Sequence, residues 1–251
     1  MAKVRLPVVE ELLRRSRVWH FGALVALLYL LSPLVFCLLT SVADSTTIET
    51  PLSAGFSLRW YVELAGDPRW RAGLLNSLLV AGLTIPLALV CGTGAAIAFE
   101  RHDFPGRTVV GTLVLAPLFV PPVTLGMQSL AFHQRVGLWG SIFSLALAHT
   151  LWATPVVFTL MRAVLASLDP RLEVAAQGLG ATPLRAFLLI TLPQLVPGLV
   201  TAAFLTFILS LNELVMTMFL ATPRTQTLPT LIWPLVRSNV TPVVAAASSV
   251  T

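Results

Sequence analysis

The sequence predicts an all-α protein that crosses a lipid bilayer several times, and three observations predict it. The 251-residue chain is 56% hydrophobic and only 11% charged, with a mean hydropathy of +0.86, far from the balance of a soluble domain. Several uncharged stretches exceed the roughly 20 residues that a helix needs to cross about 30 Å of hydrocarbon. Lipid offers the backbone no hydrogen bonds, so runs this long and this apolar favour helices over the alternating strands of a barrel.

Spans fall near residues 18–40, 73–98, 109–131, 139–163 and 196–220, with a sixth starting near 240. The first follows a basic tail, residues 1–17. In that tail Val8, Val9, Leu12 and Leu13 alternate with Glu10, Glu11, Arg14 and Arg15, a pattern suited to lying on a membrane surface. The run from Val18 to Leu39 is too long for a signal h-region and reads as an anchor helix. Residues 41–72 form the longest polar stretch, an outer loop that contains Trp60 and Tyr61. Trp70 at its end, and Trp139 further on, flank spans and read as interfacial anchors. The second span carries Gly92, Thr93, Gly94, Ala95 and Ala96, small residues that let helices approach closely. Phe104-Pro105-Gly106-Arg107 then predicts a tight turn.

In the third span Pro121 and Pro122, close after Pro117, must break the helix ladder. Such a break either lines a substrate path or is a packing kink, and both readings stay open. His149, alone in the fourth span, reads as hydrogen-bonded to a neighbour rather than as a ligand. Glu213 is the only carboxylate inside a span, about 25 Å along the fifth helix from Val196. An intramembrane acid is costly to insert. Either Glu213 and its neighbour Asn212 line an outer gate or a cation's path, or at that depth Glu213 is a snorkelling or interface-paired carboxylate, and both readings stay open. The stretch from Val240 to Thr251 makes only about 18 Å of helix, so the sixth span reads as truncated.

Charge sets orientation. With the N-terminus inside, ten of the sixteen basic residues fall on inner segments and six on outer ones, a positive-inside bias. The net charge of +5 therefore reports topology rather than nucleic-acid binding. Cys37 and Cys91 lie inside spans with no metal or disulfide spacing.

The stretch between the fourth and fifth spans is the most specific. It holds Glu173, Val174, Ala175 and Ala176, then Gly180, Ala181, Thr182, Pro183 and Arg185, and ends in Ile190, Leu192 and Pro193. Thr182-Pro183 reads as an N-cap with proline at the first helical position. The segment resembles the cytoplasmic EAA loop of permease subunits of type I bacterial ABC importers, a Glu-Ala-Ala triplet followed at fixed spacing by Gly and by Ile-x-Leu-Pro. Val174 stands where that pattern has its acid. Glu173 cannot simply replace it, because adjacent helical positions point about 100° apart. Ser210-Leu211-Asn212-Glu213 and Thr227-Leu228-Pro229 resemble the polyamine, opine and phosphonate branch, with Asn212 in place of a common aspartate.

The resemblance implies the six-helix transmembrane-domain fold of that family over residues 73–251, with an ATPase-coupling loop at about 167–195. It implies a multi-pass protein of the bacterial inner membrane, not itself an enzyme, which translocates a small solute. That solute would be a polyamine or related amine, the alternatives being phosphonate, opine, iron(III), sulfate or similar. The partners it implies are two ABC ATPase subunits, a second homologous permease, a periplasmic solute-binding protein and the bilayer. The chain has no Gly-x-x-x-x-Gly-Lys-Ser/Thr loop, so no cofactor is expected on it, and ATP and Mg belong to the ATPase. A secondary transporter would show inverted repeats, and a membrane enzyme would show clustered acids or histidines; neither pattern is visible.

Overall fold

The structure, a computed structural model, describes residues 17–238 and 241–250. The tail basic residues Lys3, Arg5, Arg14 and Arg15, the amphipathic stretch beside them, and the orientation read from them lie outside the described residues. In chain order the helices begin with α1 (Arg17–Ser41), α2 (Pro51–Ala54), α3 (Arg59–Gly66) and α4 (Pro68–Arg101). Next come α5 (Arg107–Leu115, tightening into a 3-10 turn over Ala116–Leu118), α6 (Pro122–Arg135), α7 (Ile142–Ser167) and α8 (Arg171–Gly178). The series closes with α9 (Pro183–Leu211), α10 (Val215–Leu220), α11 (Leu228–Ser238) and α12 (Pro242–Val250). Among the described residues the only strand-like feature is an isolated pairing of Ala43 with Phe56. Among the described residues four helices, α1, α4, α7 and α9, are long and apolar enough to span a membrane, and α5 with α6 passes the same test as a pair bent by 101°. The all-α, multi-spanning reading stands.

The chain forms two compact units. One comprises the described residues up to Gly66 together with the described residues from Leu235 onward. Here α12 packs on α1 and α3. The Tyr61 hydroxyl joins the hydroxyls of Ser41 and Ser249 at 2.7 Å each, and Trp60 Nε1 donates to the Ala43 carbonyl at 3.2 Å. Half-buried, Trp60 and Tyr61 thus tie elements together through their polar tips.

The other unit, Asp67–Pro234, is built on α4, α7 and α9, each packed against the other two. On α4 the buried positions are Gly73, Ser77, Val80, Ala81, Thr84, Ala88, Gly92, Ala96 and Phe99, a stripe of mostly small side chains at helical spacing. It lets α7 lie close: a Cβ on Gly92 would stand 2.7 Å from Val157 Cβ. Toward the α8 end the stripe closes on Phe99, edge-on to Phe158 with ring centroids 5.1 Å apart.

The fifth span departs from expectation. Its helix starts at Pro183 rather than near residue 196 and ends at Leu211 rather than 220. Pro193 does not stop it. A widened π turn over Phe187–Thr191 precedes the proline and relieves the crowding its ring would impose on the preceding turn. At the far end residues 212–214 break the helix, so Glu213 lies between α9 and α10 and not within a continuous span. The loops also hold more structure than their polarity suggests, since α2 and α3 lie within the 41–72 stretch and α11 follows α10.

Candidate functional site

The 34-residue α4 is about 51 Å long, well beyond the hydrocarbon thickness, so its ends project past the bilayer. At its C-terminal end Arg101 meets the loop singled out by sequence. Both guanidinium Nη atoms bond the Glu173 carboxylate, Nη2 to Oε1 at 2.9 Å, and Thr191 donates its hydroxyl to Oε1. Glu173 is buried. One carboxylate thus joins the end of α4, the helix α8 and the π turn at the head of α9. A parallel pair, Arg162 Nε to Glu100 Oε1 at 2.7 Å, links α7 to α4 one residue earlier. Sequence reading weighed Arg101 only as a topology charge, and Thr191 carried no signal at all.

The rest of the loop is outward. Val174, Ala175, Gly180, Thr182, Pro183 and Arg185 are exposed; Ala176, Ala181, Ile190 and Leu192 are half-buried; Pro193 is exposed on α9. Gly180 adopts φ +94°, a left-handed turn that a side chain would strain, and its N–H bonds the Gln177 carbonyl at 2.9 Å. Thr182 caps the next helix, its hydroxyl accepting from Arg185 N at 3.3 Å, with Pro183 following.

A second polar centre forms at the break after α9. Glu213 accepts from the backbone N–H groups of Met216 at 2.9 Å and Thr217 at 3.0 Å, so its carboxylate caps α10. Its Oε2 also bonds the Thr217 hydroxyl at 3.0 Å. That hydroxyl lies 2.9 Å from His149 Nε2, while His149 Nδ1 lies 2.8 Å from the Ser210 hydroxyl. His149 is buried and hydrogen-bonded on both ring nitrogens. Asn212 turns away, donating to the Ile208 carbonyl of its own helix at 2.9 Å.

The two breaks meet through the helices they start. Pro121 is exposed at the bend and Pro122 opens α6, which packs on α10. Contact is close at Gly126, where a Cβ would stand 3.0 Å from Met216 Cα. Near the N-terminal end of α4, Asn76 Nδ2 donates to the carbonyls of Arg224 at 3.0 Å and Gln226 at 2.8 Å. Ser77 Oγ accepts from Leu228 N at 3.0 Å. Among the described residues no group of three His, Cys, Asp or Glu side chains could hold a metal.

Long apolar helices around a small-residue seam, a bent pair and a buried polar break define a multi-pass membrane permease. Residues 64–251 match the family described as binding-protein-dependent transport system inner membrane component, and the chain belongs to that family. It is a permease subunit of an ABC-type importer, a transport component and not an enzyme. It is 32% identical over 234 residues to the putrescine transport system permease protein PotI of Escherichia coli (strain K12), covering 90% of this chain and 82% of that one. It is 30% identical over 196 residues to the spermidine/putrescine transport system permease protein PotC of Haemophilus influenzae, covering 78% and 76%. A crystal structure of a bacterial ABC transporter involved in the import of the acidic polysaccharide alginate matches with a TM-score of 0.73 over 94% of this chain and 92% of that one. At 18% identity this last likeness speaks for the fold alone.

Proposed function

We propose that this permease carries a polyamine or related amine cation across the inner membrane, delivered by a periplasmic binding protein. The observation that carries the solute is the 32% identity to a putrescine permease over 90% of the chain. In this reading the N-terminus is cytoplasmic and the chain pairs with a second, homologous permease. Residues 167–195 are the coupling loop, seated on one of two ATPase subunits that bind ATP and Mg. The tie from Glu173 to Arg101 and Thr191 supports that role, because a loop joined to α4 and α9 passes its displacement to both helices. ATP favours one conformation by binding it more tightly than the other.

The gate lies where α6 and α10 meet, between the breaks at Pro121-Pro122 and Asn212-Glu213. In the described conformation the Glu213 carboxylate is taken up by α10 and the Thr217 hydroxyl. It becomes available to a passing ammonium group when α10 moves away, and an acid at membrane depth suits such a cation.

Uptake of labelled putrescine and spermidine, in cells carrying the complete importer with or without this chain, tests the reading. Saturable, ATP-dependent uptake that disappears with the chain is the expected result. Uptake that no amine competes with, but another solute class does, would sink the polyamine assignment and leave the importer standing.

A further inference from the structure

Glu173 and Val174 are neighbours on α8, and the fold sends them to opposite sides. Glu173 turns inward to Arg101 and Thr191, while Val174 is 68% exposed. Successive helical residues point about 100° apart, so α8 cannot present the Glu173 carboxylate where Val174 stands without breaking that tie. Exposed beyond Val174 on the same loop are Leu179 at 91% and Leu184 at 67%, aliphatic side chains whose exposure calls for a partner surface. The cations of this surface are Arg171 and Arg185, both exposed and, among the described residues, in no ion pair.

Resting on the reading of this segment as the coupling loop, we infer that the groove receiving it, on the ATPase subunit, is apolar opposite Val174 and acidic at its rim. A cation at the floor of that groove would be desolvated against Val174 with no counter-charge, a penalised arrangement. The two unpaired arginines match Asp or Glu at the rim, where charge sets orientation and encounter rate. An acidic partner in the loop is unnecessary, since its one buried carboxylate is spent on holding the loop to its own helices.

The test uses the assembled importer in its native membranes. A photo-crosslinking phenylalanine analogue placed at Val174, and separately at Leu179, is irradiated and the trapped peptide is sequenced by mass spectrometry. The expected product is an ATPase segment with aliphatic residues at the trap and Asp or Glu close by. Val174→Leu is expected to keep ATPase recovery with the permease, and Val174→Glu to lower it by about tenfold or more at limiting concentration. Arg171→Glu with Arg185→Glu is expected to lower it too and to weaken its dependence on salt. Trapping of an Arg- or Lys-bearing ATPase segment, with Val174→Glu binding better than the parent, overturns the apolar groove but leaves the coupling loop intact. Trapping of lipid alone at both positions overturns the coupling-loop reading itself, and the inference with it.

Discussion

Glu213 Oε2 lies 3.6 Å from His149 Nε2 across the break between α9 and α10, with the Thr217 hydroxyl within hydrogen-bonding distance of both. Removing either side chain strands buried partners: Glu213→Ala orphans the N–H groups of Met216 and Thr217 at the start of α10, and His149→Ala orphans the Ser210 hydroxyl and leaves the Thr217 hydroxyl bonded to Glu213 alone. Each is expected to cost about 1–3 kcal/mol. Because they share Thr217, the double variant is expected to lose less than the sum. Thermal unfolding of the four proteins in detergent measures this, and strict additivity would show that the three groups do not act as one unit.

The Arg101–Glu173 pair carries a second expectation. Arg101→Ala leaves a buried carboxylate facing Thr191 alone, and a loss of about 2 kcal/mol is expected, below the 3–5 of a fully buried pair because Arg101 is partly hydrated. Arg101→Lys should recover only part of it, since an ammonium cannot grip both oxygens as the guanidinium does. Limited proteolysis of residues 168–182 reports the effect locally, and equal cleavage rates in all three proteins would contradict it.

Gly92 and Gly94 make an internal control on one helix. A Cβ at Gly92 would stand 2.7 Å from Val157 Cβ and 3.0 Å from the Phe158 backbone nitrogen, whereas a Cβ at Gly94 meets nothing within 4 Å. Gly92→Ala is therefore expected to destabilise by about 1–3 kcal/mol through overpacking. Gly94→Ala should be neutral or slightly stabilising, because alanine is the better helix former. Reversal of that order in detergent melts would mean that α4 and α7 pack differently.

Much of this was legible in the sequence, and the reasons for the rest are physical. Apolar runs locate helices well, because hydropathy reports what the bilayer demands of every residue. Helix ends are another matter. Thr182-Pro183 marked a helix start, but the continuity of α9 from there into the span was hidden, because the π turn lets Pro193 sit inside a helix that proline would ordinarily end. The break at Glu213 was hidden because a carboxylate that caps α10 looks the same in sequence as one buried within a span. Glu173 was readable only as the wrong neighbour of Val174, since its partners Arg101 and Thr191 are 72 and 18 residues away. Of the α4 seam from Gly73 to Phe99 only the Gly92–Ala96 cluster stood out in the sequence, and of that cluster Gly92 and Ala96 face the seam. A helix that is apolar nearly all round does not mark its packed face.

Asp67 opens α4, its carboxylate accepting from Arg69 N at 2.8 Å and from the Arg69 guanidinium. The Arg69 side chain, then its backbone N–H, holds the Asp67 carboxyl below its ordinary value of 3.8. A carboxyl depressed in the folded state stabilises above its unfolded value, and that contribution is lost as the pH falls through the folded one. Asp67→Asn should remove this dependence. Unfolding of both proteins followed below about pH 4 is expected to give a shallower acid-side slope for the variant, and parallel slopes would refute the assignment.

Asn76 spends both amide hydrogens on the carbonyls of Arg224 and Gln226, which fixes the orientation of its amide, since only the NH2 end can face two acceptors. Asn76→Ala frees the two carbonyls and should cost about 1 kcal/mol. Asn76→Asp is nearly the same size, yet it sets a carboxylate with no proton to give against two carbonyl oxygens. It is therefore expected to be worse than alanine, an order that volume alone would reverse. The chain from residue 222 to Leu228, held further by Ser77 Oγ on Leu228 N, should then exchange its amide hydrogens faster in the order parent, alanine, aspartate. Hydrogen exchange read by mass spectrometry on that segment decides the matter: an aspartate variant as protected as the parent would mean that the Asn76 amide does not hold the loop.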